Sequence, residues 1–402
     1  MKRICLLVVG LYINLLGGFS QVKDSAIYKS RKLKLDEINL VSSYYSQSGN
    51  NSAVTGGIGT EKLKDYSNNF EVKFLRYNRR GRKEEFQANL GIDYYTSASS
   101  DKIDPNTISS ASSEDIRTYP SVTRTVTNEK KGSSFLNNLS YSYESDYQSY
   151  GFAAGFSQKS KDRNKEFTAR AQVYIDNVKI ILPVEMRTAA TGGLYGAPNR
   201  YQYPHKQRNT VSAAFTFAQI VNERFQLMWL LDLTYQNGYL SLPFHRVYFN
   251  SYKLTNEKLP SSRFKIPIAL KANYFLGDRI ILRGMYRFYK DDWGLNAHTA
   301  DIETSFKLTP FFSFTPFYRY YSQTAIDYFA AYLEHQEDEP YYSSNYDYSK
   351  FQSQFFGAGF RYAPPKGLLN NKHWNMIEVR YGHYKRSNGL TSDIISLNLK
   401  YK

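Results

Sequence analysis

Cysteine is nearly absent. The chain has a single one, Cys5, close to its start. One cysteine makes no internal disulfide. Without it there is no thiolate metal ligand and no cysteine nucleophile either. Long apolar runs are missing as well. Beyond the first twenty residues nothing approaches the roughly 20 apolar residues that a membrane-crossing helix needs. Mean hydropathy is −0.55, below what a helical membrane protein shows. The formal net charge is +16, yet no acidic or basic tail concentrates it.

The first residues have the form of an export signal. Met1, Lys2 and Arg3 are a basic start, residues 5–16 are mostly apolar, and Gly18 and Ser20 place small residues at −3 and −1 of a cut after Ser20. Residues 1–20 therefore read as a secretory signal peptide. The apolar run is short for a membrane anchor, Asn14 interrupts it, and no stop-transfer pattern follows. Cys5 lies too early to be a lipoprotein cysteine. Cleavage removes the one cysteine together with Lys2 and Arg3. An exported basic chain does not point to nucleic acid. Anionic lipopolysaccharide headgroups or anionic solutes suit it better.

What the chain does have is aromatic residues, 37 Tyr and 26 Phe. Low hydropathy with so many rings fits a β-barrel of the Gram-negative outer membrane. Its outer face is apolar with aromatic girdles and its inner face is polar. Period-two alternation supports that class. Phe86, Ala88, Leu90, Ile92 and Tyr94 alternate with Gln87, Asn89, Gly91 and Asp93, and the same pattern runs through residues 167–175, 225–233, 264–272, 280–288 and 395–401. Such runs start near Ile38, Tyr66, Glu84, Asp115, Ser134, Tyr147, Glu166, Arg208, Arg224, Arg263, Arg279, Thr299, Phe312, Phe351, Trp374 and Thr391. The expected fold is all-β: a transmembrane antiparallel up-and-down barrel of about 16 strands, within roughly 14 to 18. Short basic turns alternate with mostly longer connections, at 47–65, 96–114, 177–207, 236–262 and 324–350. Barrels have short periplasmic turns and long external loops, so both termini fall on the periplasmic side. The expected order is a signal peptide over 1–20, a polar periplasmic leader over 21–37 and the barrel over 38–402. The last strand alternates Ile395, Leu397, Leu399 and Tyr401, the pattern that barrel-assembly machinery recognises, although Lys402 follows the aromatic.

Several strings carry a family likeness. They include Ser42-Ser43-Tyr44-Tyr45-Ser46, residues 50–62 with Gly56-Gly57-Ile58-Gly59, Tyr95-Thr96-Ser97, Ile103-Asp104-Pro105 and Pro243-Phe244-His245-Arg246. Asp291-Asp292-Trp293-Gly294, Ala297-His298-Thr299 and Ser392-Asp393-Ile394 continue the series. Across nearly the whole mature chain these resemble a family of bacterial outer-membrane barrels known as a domain of unknown function. The resemblance brings no catalytic residues. It implies company with small lipoproteins, thioredoxin-like proteins and flavin-transferring enzymes, and so a role near envelope redox metabolism.

On the strands between Arg263 and Arg361, the period puts Lys265, Lys271, Arg279, Arg283, Arg287, Arg319 and Arg361 on the lumen side. A pore with such a basic wall favours anions. Asp301 and Glu303 fall on the same side and would neutralise it as a salt-bridge ladder, which is the better reading of the two. Phe275, Tyr289, Phe317 and Tyr321 also point inward and suggest partial filling. His245 and Arg246 lie in a long aromatic-rich loop expected to fold inward and narrow the pore. Asp291, Asp292 and His298 invite a carboxylate-and-histidine hydrolase reading, but they share one hairpin and face no second carboxylate pair, so a loop hydrogen-bond cluster is preferred. Asp101, Asp104, Glu337, Asp338 and Glu339 invite calcium, but without EF-hand spacing, and solvated acidic loops are preferred. The glycines of 56–62 lack the spacing of a phosphate loop. No metal, cofactor or catalytic residue is expected.

The leading functional reading is a channel or facilitator with loops constricting a polar, partly basic lumen. The second is a non-conducting barrel serving periplasmic redox proteins or surface lipoproteins as scaffold or partner. An outer-membrane hydrolase is a distant third.

Overall fold

The computed structural model describes residues 32–96, 114–186 and 203–402. The expected signal peptide, most of the expected leader, and Asp101 and Asp104 lie outside these residues. The barrel strands are β1 (Lys34–Ser48), β2 (Leu63–Tyr77), β3 (Lys83–Thr96), β4 (Glu114–Asn128), β5 (Ser133–Tyr143), β6 (Tyr147–Lys159), β7 (Lys165–Lys179), β8 (His205–Asn222) and β9 (Phe225–Gly238). A separate two-stranded ribbon, β10 (Arg246–Tyr248) and β11 (Leu254–Asn256), interrupts the series. The barrel resumes with β12 (Ser262–Leu276), β13 (Ile280–Asp291), β14 (Asn296–Lys307), β15 (Phe312–Gln323), β16 (Phe351–Tyr362), β17 (Trp374–Arg386) and β18 (Thr391–Tyr401). Neighbours in sequence pair antiparallel, β9 pairs with β12, and β18 returns to β1 to close a sixteen-stranded barrel.

All sixteen expected strands are present, each starting within four residues of its expected position. The largest offset is in β1. Its first residues, 34–37, belong to the barrel and not to the expected leader, since they pair with β2 across a bulge between Leu35 and Glu37. That bulge breaks the alternation, so the period becomes legible only from Ile38. The start of β1 and the end of β18 lie on the side of the short turns. Three connections on the opposite side are themselves tight, at 144–146, 292–295 and 387–390. The long-loop rhythm is therefore less regular than the sequence suggested.

The phase of each strand holds around the barrel. Leu90, Leu139, Phe152, Val211, Ile268, Ile302, Val379 and Ile395 stand outward, each 40–55% exposed. A soluble protein does not leave such a continuous apolar surface in water, but the hydrocarbon of a bilayer requires one. The barrel interior has no apolar core. The buried apolar cluster sits instead at one mouth, where Leu240, Leu259 and Ile326 meet Trp293, Leu295 and Ala297.

Replacing Ile302 with Arg should therefore cost on the order of 2–4 kcal/mol in denaturant unfolding from lipid vesicles. Met285→Arg, on the lumen side opposite Asp301, should cost well under half as much. Equal costs would contradict the facing.

Candidate functional site

The inner surface has two unlike halves. Along β5 to β8 its inward side chains are mostly small, Ser140, Ala153, Ser212, Ala214 and Thr216, with Arg170 beside Ala214 and the Asp176–Arg208 ion pair near the external end, a phase set by the pairs Asn138 with Ala153 and Ser212 with Gln172. Along β12 to β17 it is charged. Glu303 accepts from Arg283 at 2.8 Å and from Arg380 at 2.7 Å, and Arg319 meets Asp301 at 2.7 Å. Glu378 adds a longer contact to Arg380, at 3.6 Å. This is the ladder arrangement. Lys265, Lys271, Arg287 and Arg361 have no ion-pair partner among the described residues.

Bulky inward rings do not reach across the lumen where the wall gives them a seat. Gly357 and Gly382 face each other on β16 and β17. The Phe317 ring covers the first and the Phe355 ring the second, so closely that a β-carbon at either glycine would collide with them. Their centroids are 5.1 Å apart, and the Arg380 guanidinium lies 5.1 Å from the Phe317 centroid. Tyr119 covers Gly91 and Tyr174 covers Gly151 in the same way. Glycine in mid-strand weakens a strand by itself, and close packing of another group is the usual reason to keep it.

The external end of the charged half carries a plug of ordered loops. Residues 239–261 and 324–350 are joined by bridges between Phe249 and His335 and between Lys258 and Tyr342. Glu257, 2% exposed, ties them: its carboxylate accepts the Leu242 N–H at 2.8 Å and the Ser343 hydroxyl at 2.5 Å. A buried carboxylate left unbonded costs several kcal/mol, so both loops must keep this arrangement. His335 is also buried, with Nε2 3.1 Å from the Ser343 carbonyl and Nδ1 2.5 Å from Glu339. The loop 49–62 joins where the Tyr248 ring packs on Gly56, whose φ of +81° is readily adopted only by glycine. Arg246 bonds the Val54 carbonyl at 2.5 Å and Glu185 at 2.5 Å.

Three inward wall residues anchor the plug. Gln323 donates to the carbonyls of Asp347 and Ser349 at 2.9 and 2.6 Å. Arg386 donates to the Asp347 carboxylate at 2.6 Å. Arg263 donates through Nε to Asp291 Oδ2 at 2.9 Å and lies 4.2 Å from the Trp293 ring centroid and 5.6 Å from that of Tyr348. Asp291 uses its other oxygen to hold the tight turn after β13, accepting the N–H groups of Trp293 and Leu295 at 3.0 and 3.1 Å. Burial pushes the Tyr348 hydroxyl up to about 12, so it stays neutral.

A family model described as "Protein of unknown function (DUF3570)" matches residues 77–392. The chain belongs to this family. No curated protein matches it. Among solved structures, OpdK of Pseudomonas aeruginosa with vanillate is 7% identical, covering 92% of this chain and 98% of its own, with a TM-score of 0.45. OprD of the same organism is 9% identical, over 94% and 95%, with a TM-score of 0.40. A mutant of its ferric enterobactin receptor PfeA is 10% identical, over 88% and 54%, with a TM-score of 0.44. Likenesses this distant carry no argument about what the chain binds or passes.

In this DUF3570 chain the expected wall residues fall as follows. Lys265, Lys271, Arg283, Arg287, Arg319, Arg361, Asp301 and Glu303 share the inward phase, set by pairs such as Lys271 with Met285 and Arg283 with Glu303. Arg279 does not. It sits in the turn between β12 and β13, because the strand begins one residue later, at Ile280. His245 and Arg246 are in the plug, with His245 Nδ1 3.6 Å from Glu257. The hydrolase trio is divided by the strand period. Asp291 faces in, while His298 faces out and bonds Tyr286 at 2.7 Å. Glu337 pairs with Lys253 at 2.8 Å and Glu339 with His335, and among the described residues no group of three His, Cys, Asp or Glu is placed to hold a metal. Arg263, Arg380, Arg386 and Asp347 were missed. Extending the period test one strand further would have found Arg380, but nothing local marks Asp347.

Removing the Asp291 carboxylate should expose how much depends on it. Asp291→Ala leaves Arg263 buried without its partner and should cost on the order of 3–5 kcal/mol in unfolding. A loss below about 1 kcal/mol, the range of an exposed pair, would contradict this. Glu61 provides a pH test. Burial, with help from the Asp347 charge, holds its carboxyl above the ordinary value of 4.5. The folded state then binds this proton more tightly than the unfolded one, so stability falls as pH rises from about 4.5 through the raised value. Glu61→Gln should therefore gain melting temperature over the parent at pH 7 and not at pH 4. A difference independent of pH would contradict the assignment.

Proposed function

We propose that this chain is an outer-membrane channel for small solutes, with a preference for anions. The observation that carries the reading is the seating of the inward rings on glycines, which keeps Phe317, Phe355, Tyr119 and Tyr174 against the wall. The small-residue half supports it. Its β5 and β6 are joined by only three residues at the external end. The plug is anchored to the opposite half. The reading places the solute path along Ser140, Ala153, Ser212 and Ala214, past the inward Arg170.

The ladder and the anion reading then divide the wall between them. Arg283, Arg319 and Arg380 are neutralised by Asp301, Glu303 and Glu378. Arg170, Lys265, Lys271, Arg287 and Arg361 are left over among the described residues, and a lumen with surplus positive charge concentrates anions. The apolar outer belt supports the outer-membrane location, with lipopolysaccharide as the external leaflet partner and β18 as the strand offered to the assembly machinery.

Planar-bilayer recordings under a salt gradient test this. The reversal potential should report anion preference, weakened in Lys271→Gln. Cation preference would overturn the selectivity. No conductance would overturn the channel and favour a non-conducting scaffold.

A further inference from the structure

Beneath the plug lies a cavity of about 270 Å³. Two rows across three strands build it. Arg287, Thr299 and Tyr321 lie side by side on β13, β14 and β15, and above them lie Tyr289, Ala297 and Gln323. Leu295, Arg263, Asp347 and Tyr348 complete the lining.

The charges of this lining are mostly spent. Arg263 is held by Asp291, and Asp347 by Arg386. Tyr289 donates to Asp291 at 2.7 Å and Tyr321 to Gln323 at 2.6 Å, while Gln323 holds the plug carbonyls. What remains is one guanidinium, Arg287, exposed on the lumen side, with no ion-pair partner among the described residues. The Thr299 hydroxyl stands beside it. The rest of the surface offered to a ligand is tyrosine ring, Leu295 and Ala297. A fixed cation at the edge of an aromatic pocket suits an anion with a flat apolar body, since the guanidinium fork matches a carboxylate and the rings accept the body. At about 30 Å³ per water, the space takes a molecule of roughly nine water volumes.

We propose that this cavity is a binding site for a small planar organic monoanion, which Arg287 holds by its charged group while Tyr289, Tyr321 and Tyr348 take its body. The proposal rests on the channel reading for its place in transport, but binding is measurable without conduction. The test is calorimetric titration of the full chain in detergent with benzoate, benzyl alcohol and acetate. Benzoate should bind one to one. Benzyl alcohol lacks the charge and acetate the ring, so each should bind at least tenfold more weakly. Arg287→Gln should weaken benzoate at least tenfold, and Arg361→Gln, which removes a lumen cation at the other end of the barrel, less than twofold. Absence of saturable benzoate binding overturns the site, as does equal weakening by both substitutions. A protein that conducts without binding benzoate loses the site and keeps the channel. One that binds without conducting keeps the site and loses the channel.

Discussion

Closure of the sheet by β1 and β18 is the constraint on which the rest depends. Eleven residue pairs run from Ile38 with Tyr401 to Ser48 with Thr391. In hydrocarbon an unpaired N–H or C=O costs several kcal/mol, and an open sheet edge would present a row of them. With the ring closed, every strand has two neighbours, and the alternation of side chains becomes a division between lipid and lumen. It also fixes which residues meet. Glu303 reaches Arg283 on the adjacent β13, but it also reaches Arg380, three strands away on β17, because the curvature turns both side chains into one interior.

The plug uses a different economy. It has little regular structure and relies on a few buried, hydrogen-bonded polar groups. Glu257 and Ser343 join two loops, Asp291 holds Arg263 and a turn, and Gln323 holds two loop carbonyls. Such networks are rigid when complete and costly when one member is lost. They fasten the plug to the charged wall through Arg263, Gln323 and Arg386, while Arg246 reaches Glu185 on the connection between β7 and β8.

The barrel was legible in the sequence because its governing period is local. Five residues of alternation reveal a face, and β3, β12 and β18 needed no partner to be read. The facing of Lys271, Arg283 and Glu303 followed from the same count. Arg279 shows where the count fails, since a turn has no face. The plug was not legible for a different reason. Its contacts join residues far apart in sequence, as with Glu257 and Ser343, 86 positions apart, and neither loop carries a repeating pattern. His245 and Arg246 were marked as loop residues that fold inward, but their partners Glu257, Val54 and Glu185 had no sequence signal.

Conduction as proposed requires the plug to cover one wall and leave the other open. Single cysteines placed on the two walls measure this directly, since Cys5 is the one cysteine in the chain. A membrane-impermeant maleimide added from the external side should label Ala214→Cys, on the small-residue wall, much faster than Ala297→Cys, under the plug. Equal rates at the two positions, or protection at Ala214→Cys, would contradict the account.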